Sequence, residues 1–131
     1  IGAGYGSAGE RCMAISVAVP VGEETANRLR SKLVERVNQL RVGHSLDPKA
    51  DYGPLVTGAA LERVRGYIGQ GVDAGAELVV DGRGFRMQGY EDGYFLAGGF
   101  VTATGPTHTD SDSLAFGMSL KLKAPGAEFG F

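Results

Sequence analysis

The chain has 131 residues, 43% of them apolar and 21% charged, with a formal net charge of −2 and a single cysteine. That length suits one domain with a modest core, the composition is not that of a disordered chain, and the charge balance leaves no basic face for nucleic acid. No apolar run reaches the length of a membrane span, no signal peptide is visible, and one cysteine excludes a disulfide scaffold.

The cysteine comes first in chain order, in the run Tyr5-Gly6-Ser7-Ala8-Gly9-Glu10-Arg11-Cys12-Met13-Ala14. The Gly-rich approach lets backbone come close to a ligand, and the adjacent Arg11 cation favours a nucleophilic thiolate. Unpaired cysteines are also common as small buried hydrophobes, so the residues alone leave both readings of Cys12 open. His44 and His108, the only histidines, sit in no recognisable catalytic context. The run Ile1–Gly6 shares glycine spacing with a dinucleotide fingerprint. No strand precedes it and a strand follows, so these glycines are read as permitting close packing around the cysteine loop. No cofactor-binding residue is assigned.

Ala14 to Val19 is apolar and β-branched and reads as a buried strand, stopped by Pro20 and a turn at Gly22. Glu23 and Glu24 open a helix, where the dipole favours negative charge. Ala26, Leu29, Leu33, Val37 and Leu40 then align on one face, and Gly43 is placed for a left-handed cap. Arg28, Lys32, Glu35 and Arg36 form a solvated face. His44 to Val56 carries two prolines and no period, and reads as an ordered loop in which Asp51 and Pro54 have structural roles. Thr57 is placed to cap a second helix carrying Leu61, Val64, Ile68 and Val72 and closed by Gly75. Ala76 to Val80 and Tyr94 to Leu96 read as strands. Asp47, Asp51, Glu91 and Asp92 lack nearby histidines, and no metal is predicted. The order strand, helix, loop, helix, strand, strand is α/β, with helices expected against a mostly parallel sheet.

The run around Cys12 resembles the active-site cysteine signature of the aldehyde dehydrogenase superfamily, with Tyr5, Gly9, Glu10, Cys12 and Ala14 on its places. The version Ser7-Ala8-Gly9-Glu10-Arg11-Cys12-Met13-Ala14 is most like the CoA-acylating methylmalonate-semialdehyde dehydrogenases. Leu40-Arg41-Val42-Gly43, Asp47 to Val56 and Gly89-Tyr90-Glu91-Asp92-Gly93-Tyr94-Phe95 agree in order and separation. The resemblance runs from Ile1 to about Ala97. It implies a partial catalytic domain over residues 1–97, a piece of a protein several times longer.

Residues 98–131 depart from the family pattern: Met118 stands where a proline is expected and Leu114 where a ribose-binding Glu is expected. They read as a divergent, irregular tail, disordered or frame-shifted. As the resemblance implies, the Cys12 thiolate attacks a methylmalonate or malonate semialdehyde, NAD takes the hydride, and CoA releases propionyl-CoA or acetyl-CoA with decarboxylation. The Cys12 backbone N–H supplies one oxyanion donor. Glu10 and Arg11 shape the loop, and Arg11 is also a candidate to hold a carboxylate substrate.

The partners implied are the small-molecule aldehyde, NAD and CoA, with neither nucleic acid nor membrane, in a family of homo-oligomers read as tetramers. The compartment implied is the bacterial cytoplasm or the mitochondrial matrix, not the secreted space. The residues missing from this stretch imply that it has no turnover alone. The competing class is a non-catalytic interaction module or a degenerate remnant without activity.

Overall fold

The computed structural model describes residues 1–104 and 112–116. His108, Met118 and the rest of the expected tail at 105–111 and 117–131 lie outside the described residues. In chain order the elements are α1 (Gly2–Tyr5), a 3-10 turn (Gly6–Gly9), β1 (Val17–Ala18), α2 (Glu23–Asn38), α3 (Gly58–Asp73), β2 (Glu77–Val80), β3 (Phe100–Thr104) and β4 (Asp112–Phe116). The strands form one sheet in the order β1-β4-β3-β2. Phe100–Thr104 and Asp112–Phe116, which fall within the stretch read from the sequence as an irregular tail, supply its two central strands.

The α/β class with flanking helices holds, but the expectation of mostly parallel pairing is corrected. All three pairings within the sheet are antiparallel, with Val17 opposite Ala115, Val101 opposite Ala115 and Leu78 opposite Val101 among the partners, and the one described parallel contact is the isolated bridge between Val42 and Tyr52. The connections account for this. Parallel neighbours need a crossover of a dozen or more residues, usually helical, whereas β3 and β4 are joined by a short link. The helices instead connect β1 to β2, which lie at opposite edges of the sheet.

Local signals place both long helices. In α2, Gly22 at φ +87° precedes Glu23 and Glu24 in the first turn, and Ala26, Leu33 and Val37 are buried. Leu33 and Val37 pack with Tyr5 and Phe100 in one core cluster, against which Leu29 and Leu40 also lie. The N-terminus of α3 is capped by Thr57, whose hydroxyl accepts from the Ala60 N–H at 3.1 Å. At its end Gly75 takes φ +93°, and the Ala76 N–H reaches back to the Gly71 carbonyl at 2.9 Å, the six-to-one bond of a left-handed helix stop. Ala60, Leu61, Val64 and Ile68 of α3 bury themselves with Ala8, Tyr52, Leu55 and Leu96.

Three boundaries differ from the reading of the sequence, each for a non-local reason. Helix α2 stops at Asn38, not at Gly43. The Asp51 carboxylate accepts the Arg41 N–H at 2.8 Å, and the Asp51 N–H and Gly43 N–H bond to Arg41 and Tyr52 carbonyls. Backbone paired this way cannot continue a helix. Gly43 serves close approach instead, since a Cβ there would sit 2.7 Å from the Ala50 Cβ. This confirms the structural role expected of Asp51.

Tyr94 to Leu96 joins no ladder. Its carbonyls are taken by the Leu55 N–H and the Tyr52 hydroxyl, and the strand forms only from Phe100. Finally, the expected strand from Ala14 to Val19 shrinks to Val17–Ala18 at the sheet edge. Its side chains alternate, with Ile15, Val17 and Val19 exposed, so it is half-buried and not a core strand.

A cysteine loop and its frame

Two tyrosines fasten the approach to Cys12. Tyr5 and Tyr52 are 1% and 5% exposed, and their hydroxyls donate to the carbonyls of Gly99 at 3.0 Å and Leu96 at 3.2 Å. A buried phenol resists ionisation because the phenolate would lose its hydration. Burial, and to a lesser degree the nearby Tyr52, pushes Tyr5 far above the usual phenol range. Burial also pushes Tyr52 up to about 12, against a backbone hydrogen bond from Gly98, while Asp51 adds a smaller push upward.

The unfolded chain gives up these protons near pH 10, the folded chain only well above it. The stabilisation is therefore complete below pH 10 and is lost as pH rises through the folded values. Urea midpoints between pH 8 and about pH 11 are expected to hold level and then fall, by up to about 1.4 kcal/mol per pH unit for each tyrosine. Tyr52→Phe should roughly halve that fall, Tyr5 supplying the remainder. A level profile to about pH 11 in the unsubstituted chain would contradict the assignment.

Between Tyr5 and the cysteine the backbone enters the left-handed region and stays there for three residues. Ser7 has φ 53° and ψ 38°, Ala8 has φ 55° and ψ 29°, and Gly9 has φ 74°. Only Gly occupies this region without steric cost. For Ser7 and Ala8 the cost is on the order of 1–3 kcal/mol each, so surrounding contacts must hold them there.

Those contacts are visible. Ala8 is 1% exposed, its methyl packed in the cluster of Tyr52, Leu55, Leu61 and Val64. The Glu10 N–H donates to the Ser7 carbonyl at 2.9 Å. The Glu10 carboxylate oxygens lie 3.2 and 3.4 Å from the Val56 N–H. Arg11 donates to the Gly2 carbonyl at 3.3 Å, and the Ile15 N–H donates to the Ala3 carbonyl at 2.9 Å.

Cys12 follows this turn as a free, exposed thiol. In this chain Cys12 is therefore not a buried hydrophobe. Beside the loop is an open cavity of about 280 Å³, with Gly9, Glu10, Arg11, Arg63 and Tyr67 among its lining residues. The left-handed turn and the Glu10 contact were not legible from the sequence. Ser and Ala give no signal for left-handed backbone, and Glu10 and Val56 are 46 positions apart.

The other candidate residues are not gathered here. His44 accepts from the Leu46 N–H through Nδ1 at 3.2 Å and stacks on Tyr90 with ring centroids 5.4 Å apart. Asp47 accepts the Lys49 N–H and Glu91 the Gly89 N–H; the latter contact holds the Glu91 carboxyl below its usual range. Both acidic side chains are engaged in local turns. Among the described residues no cluster of three His, Cys, Asp or Glu could hold a metal, and no helix is long and apolar enough to cross a membrane.

The Ile1–Gly6 run is one four-residue helical turn leading into the 3-10 turn, tied through Ala3 to Ile15. It has none of the strand–loop–helix geometry that a dinucleotide pyrophosphate needs.

A malonate-semialdehyde dehydrogenase from Pseudomonas aeruginosa is 50% identical over 120 residues, 92% of this chain and 24% of that protein. The Bos taurus mitochondrial acylating methylmalonate-semialdehyde/malonate-semialdehyde dehydrogenase is 42% identical over the same share of this chain and 22% of its own length. The chain thus spans about a quarter of the curated relatives it matches. Among solved structures, one assigned to a methylmalonate-semialdehyde dehydrogenase of Sinorhizobium meliloti 1021, complexed with NAD, superimposes at a TM-score of 0.75 with 64% identity. It covers 76% of this chain and 20% of that one. A methylmalonate-semialdehyde dehydrogenase from Oceanimonas doudoroffii gives 0.73 and 44% over the same shares. The model of the aldehyde dehydrogenase family matches residues 1–110, beyond the limit near Ala97 expected from the motifs, and the chain belongs to the aldehyde dehydrogenase family.

Proposed function

We propose that this chain carries the nucleophile of a CoA-acylating dehydrogenase of methylmalonate or malonate semialdehyde, and that Cys12 is that nucleophile. The observation that carries the reading is the free thiol, exposed at the exit of a turn held in left-handed backbone by its surroundings. The names of the relatives supply the substrate class. A thiolate at Cys12 adds to the aldehyde carbon, a C–S bond forms, and the carbonyl π electrons move to oxygen as an alkoxide. The Cys12 backbone N–H is the oxyanion donor that this chain can offer. Arg11, exposed beside the thiol, offers a guanidinium to the carboxylate of a semialdehyde.

In the complete reaction NAD would accept a hydride, the substrate carboxylate would leave as carbon dioxide, and CoA would take the remaining acyl group, giving propionyl-CoA or acetyl-CoA. The chemistry derived from this chain's own residues ends at the thiohemiacetal. The chain alone is accordingly read as inactive.

The test is a graft. Residues 1–97 replace the corresponding segment of the Pseudomonas aeruginosa relative, and NADH formation is followed with malonate semialdehyde and CoA. Turnover within about a hundredfold of that relative is expected, and none from the chain alone. A folded, NAD-binding graft with no turnover would sink the reading. It would favour the interaction module, for which one observation speaks: the apolar row Met13, Ile15, Val17, Val19 and Val21 is exposed.

A further inference from the structure

Glu10 is two residues from the thiol, yet its carboxylate is aimed away along the chain, onto the Val56 N–H. That amide belongs to the turn that starts α3, between Leu55, whose N–H is held by the Tyr94 carbonyl, and Thr57, the helix cap. Upstream, the loop is fastened by Tyr5 to Gly99. Between these two ends lie Ser7, Ala8 and Gly9, all left-handed. A strained turn persists only where its surroundings over-determine it, and Glu10 is the polar half of that restraint, Ala8 in the core being the apolar half.

We infer that Glu10 is a positioning residue for Cys12: as an acceptor for the Val56 N–H, it locks the left-handed turn and so fixes where the thiol emerges. The inference rests on Cys12 being the nucleophile, but it concerns the acceptor and not a proton transfer. Glutamine keeps an acceptor oxygen of the same reach and removes the charge. Alanine removes both. The two variants therefore have equal charge and differ in the contact.

The experiment uses the full chain with Glu10→Gln and Glu10→Ala. It reads amide exchange at Val56 and the rate at which iodoacetamide alkylates Cys12, with a peptide of residues 8–15 as the unconstrained reference. In the unsubstituted chain and in Glu10→Gln, the alkylation rate should differ from the peptide by at least about threefold, the two agreeing within about twofold. In Glu10→Ala the rate should approach that of the peptide, and the Val56 amide should exchange at least about tenfold faster.

The inference fails if Glu10→Ala matches the unsubstituted chain in either readout, if Glu10→Gln behaves like Glu10→Ala, or if the unsubstituted chain alkylates like the peptide. Should Glu10→Ala not fold, Glu10→Gln still decides, since loss of Val56 protection there would overturn the acceptor role. Failure of the catalytic reading is seen separately, as a graft without turnover whose Val56 amide stays protected.

Discussion

Cys12→Ala in the grafted enzyme is expected to lower NADH formation by at least about a thousandfold, with a folding stability within about 0.5 kcal/mol of the unsubstituted graft. The rate loss is large because a covalent nucleophile is not a graded contributor. Without it the reaction loses its intermediate and retains only what binding and oxyanion contacts supply. The grafted segment itself has no second cysteine to take over. The stability change is small because the thiol is exposed, and surface substitutions away from caps, cavities and buried polar groups rarely exceed half a kcal/mol.

The pairing of a large kinetic loss with a negligible stability change separates a nucleophile from a packing residue. Cys12→Ser should fail similarly, since a serine hydroxyl without an adjacent base is a weak nucleophile at neutral pH. Activity within tenfold of the parent graft in either variant would remove Cys12 from the mechanism, whatever the motif around it.

What could be read in the sequence depended on how local its cause was. The start and stop of α3 were legible because each is written within a few residues: a Thr at the cap with apolar side chains three and four apart, then Gly75 and the chain reversal. The acidic first turn and apolar face of α2 were legible for the same reason. Its end was not, because Asp51 claims the Arg41 backbone from ten positions away.

The same division applies at the candidate site. Cys12 and its neighbours stand out as a motif, and its solvent exposure could be entertained from the glycines before it. The restraint on the loop could not, because it is made of Ala8 entering a core built by α3 and Glu10 reaching Val56. The strand around Val17 is less buried than its apolar run suggests for a related reason. An apolar β-branched run describes which side chains could be covered, and its position at the sheet edge decides whether they are.

Gly82→Ala is the substitution expected to cost the fold most, by about 3 kcal/mol or more, because the missing Cβ would meet backbone and not a yielding side chain. A Cβ built at Gly82 falls 1.9 Å from the Ala97 carbonyl oxygen and 2.4 Å from its carbon. Relief requires the chain leaving β2 and the chain entering β3 to move apart by more than an ångström. That separation strains the Ala97 N–H to Gly82 carbonyl bond and the neighbouring Val80–Phe100 pairing. It also shifts Gly99, whose carbonyl holds Tyr5, so the fastening of the cysteine loop loosens together with the sheet.

Gly66→Ala is the matched control. It lies inside α3 with nothing within 4 Å of its added methyl, and should stabilise by about 0.5–1 kcal/mol through helix propensity alone. Urea midpoints at unchanged slope measure both. A Gly82→Ala midpoint within 1 kcal/mol of the parent, with Gly66→Ala behaving as stated, would mean that the crossing near Gly82 is looser than 1.9 Å requires. The Tyr5 anchor would then not depend on it. If both move as expected, the Gly82 crossing joins sheet stability to the position of the Cys12 thiol, and alkylation of Cys12 in Gly82→Ala should drift toward the rate of the free peptide.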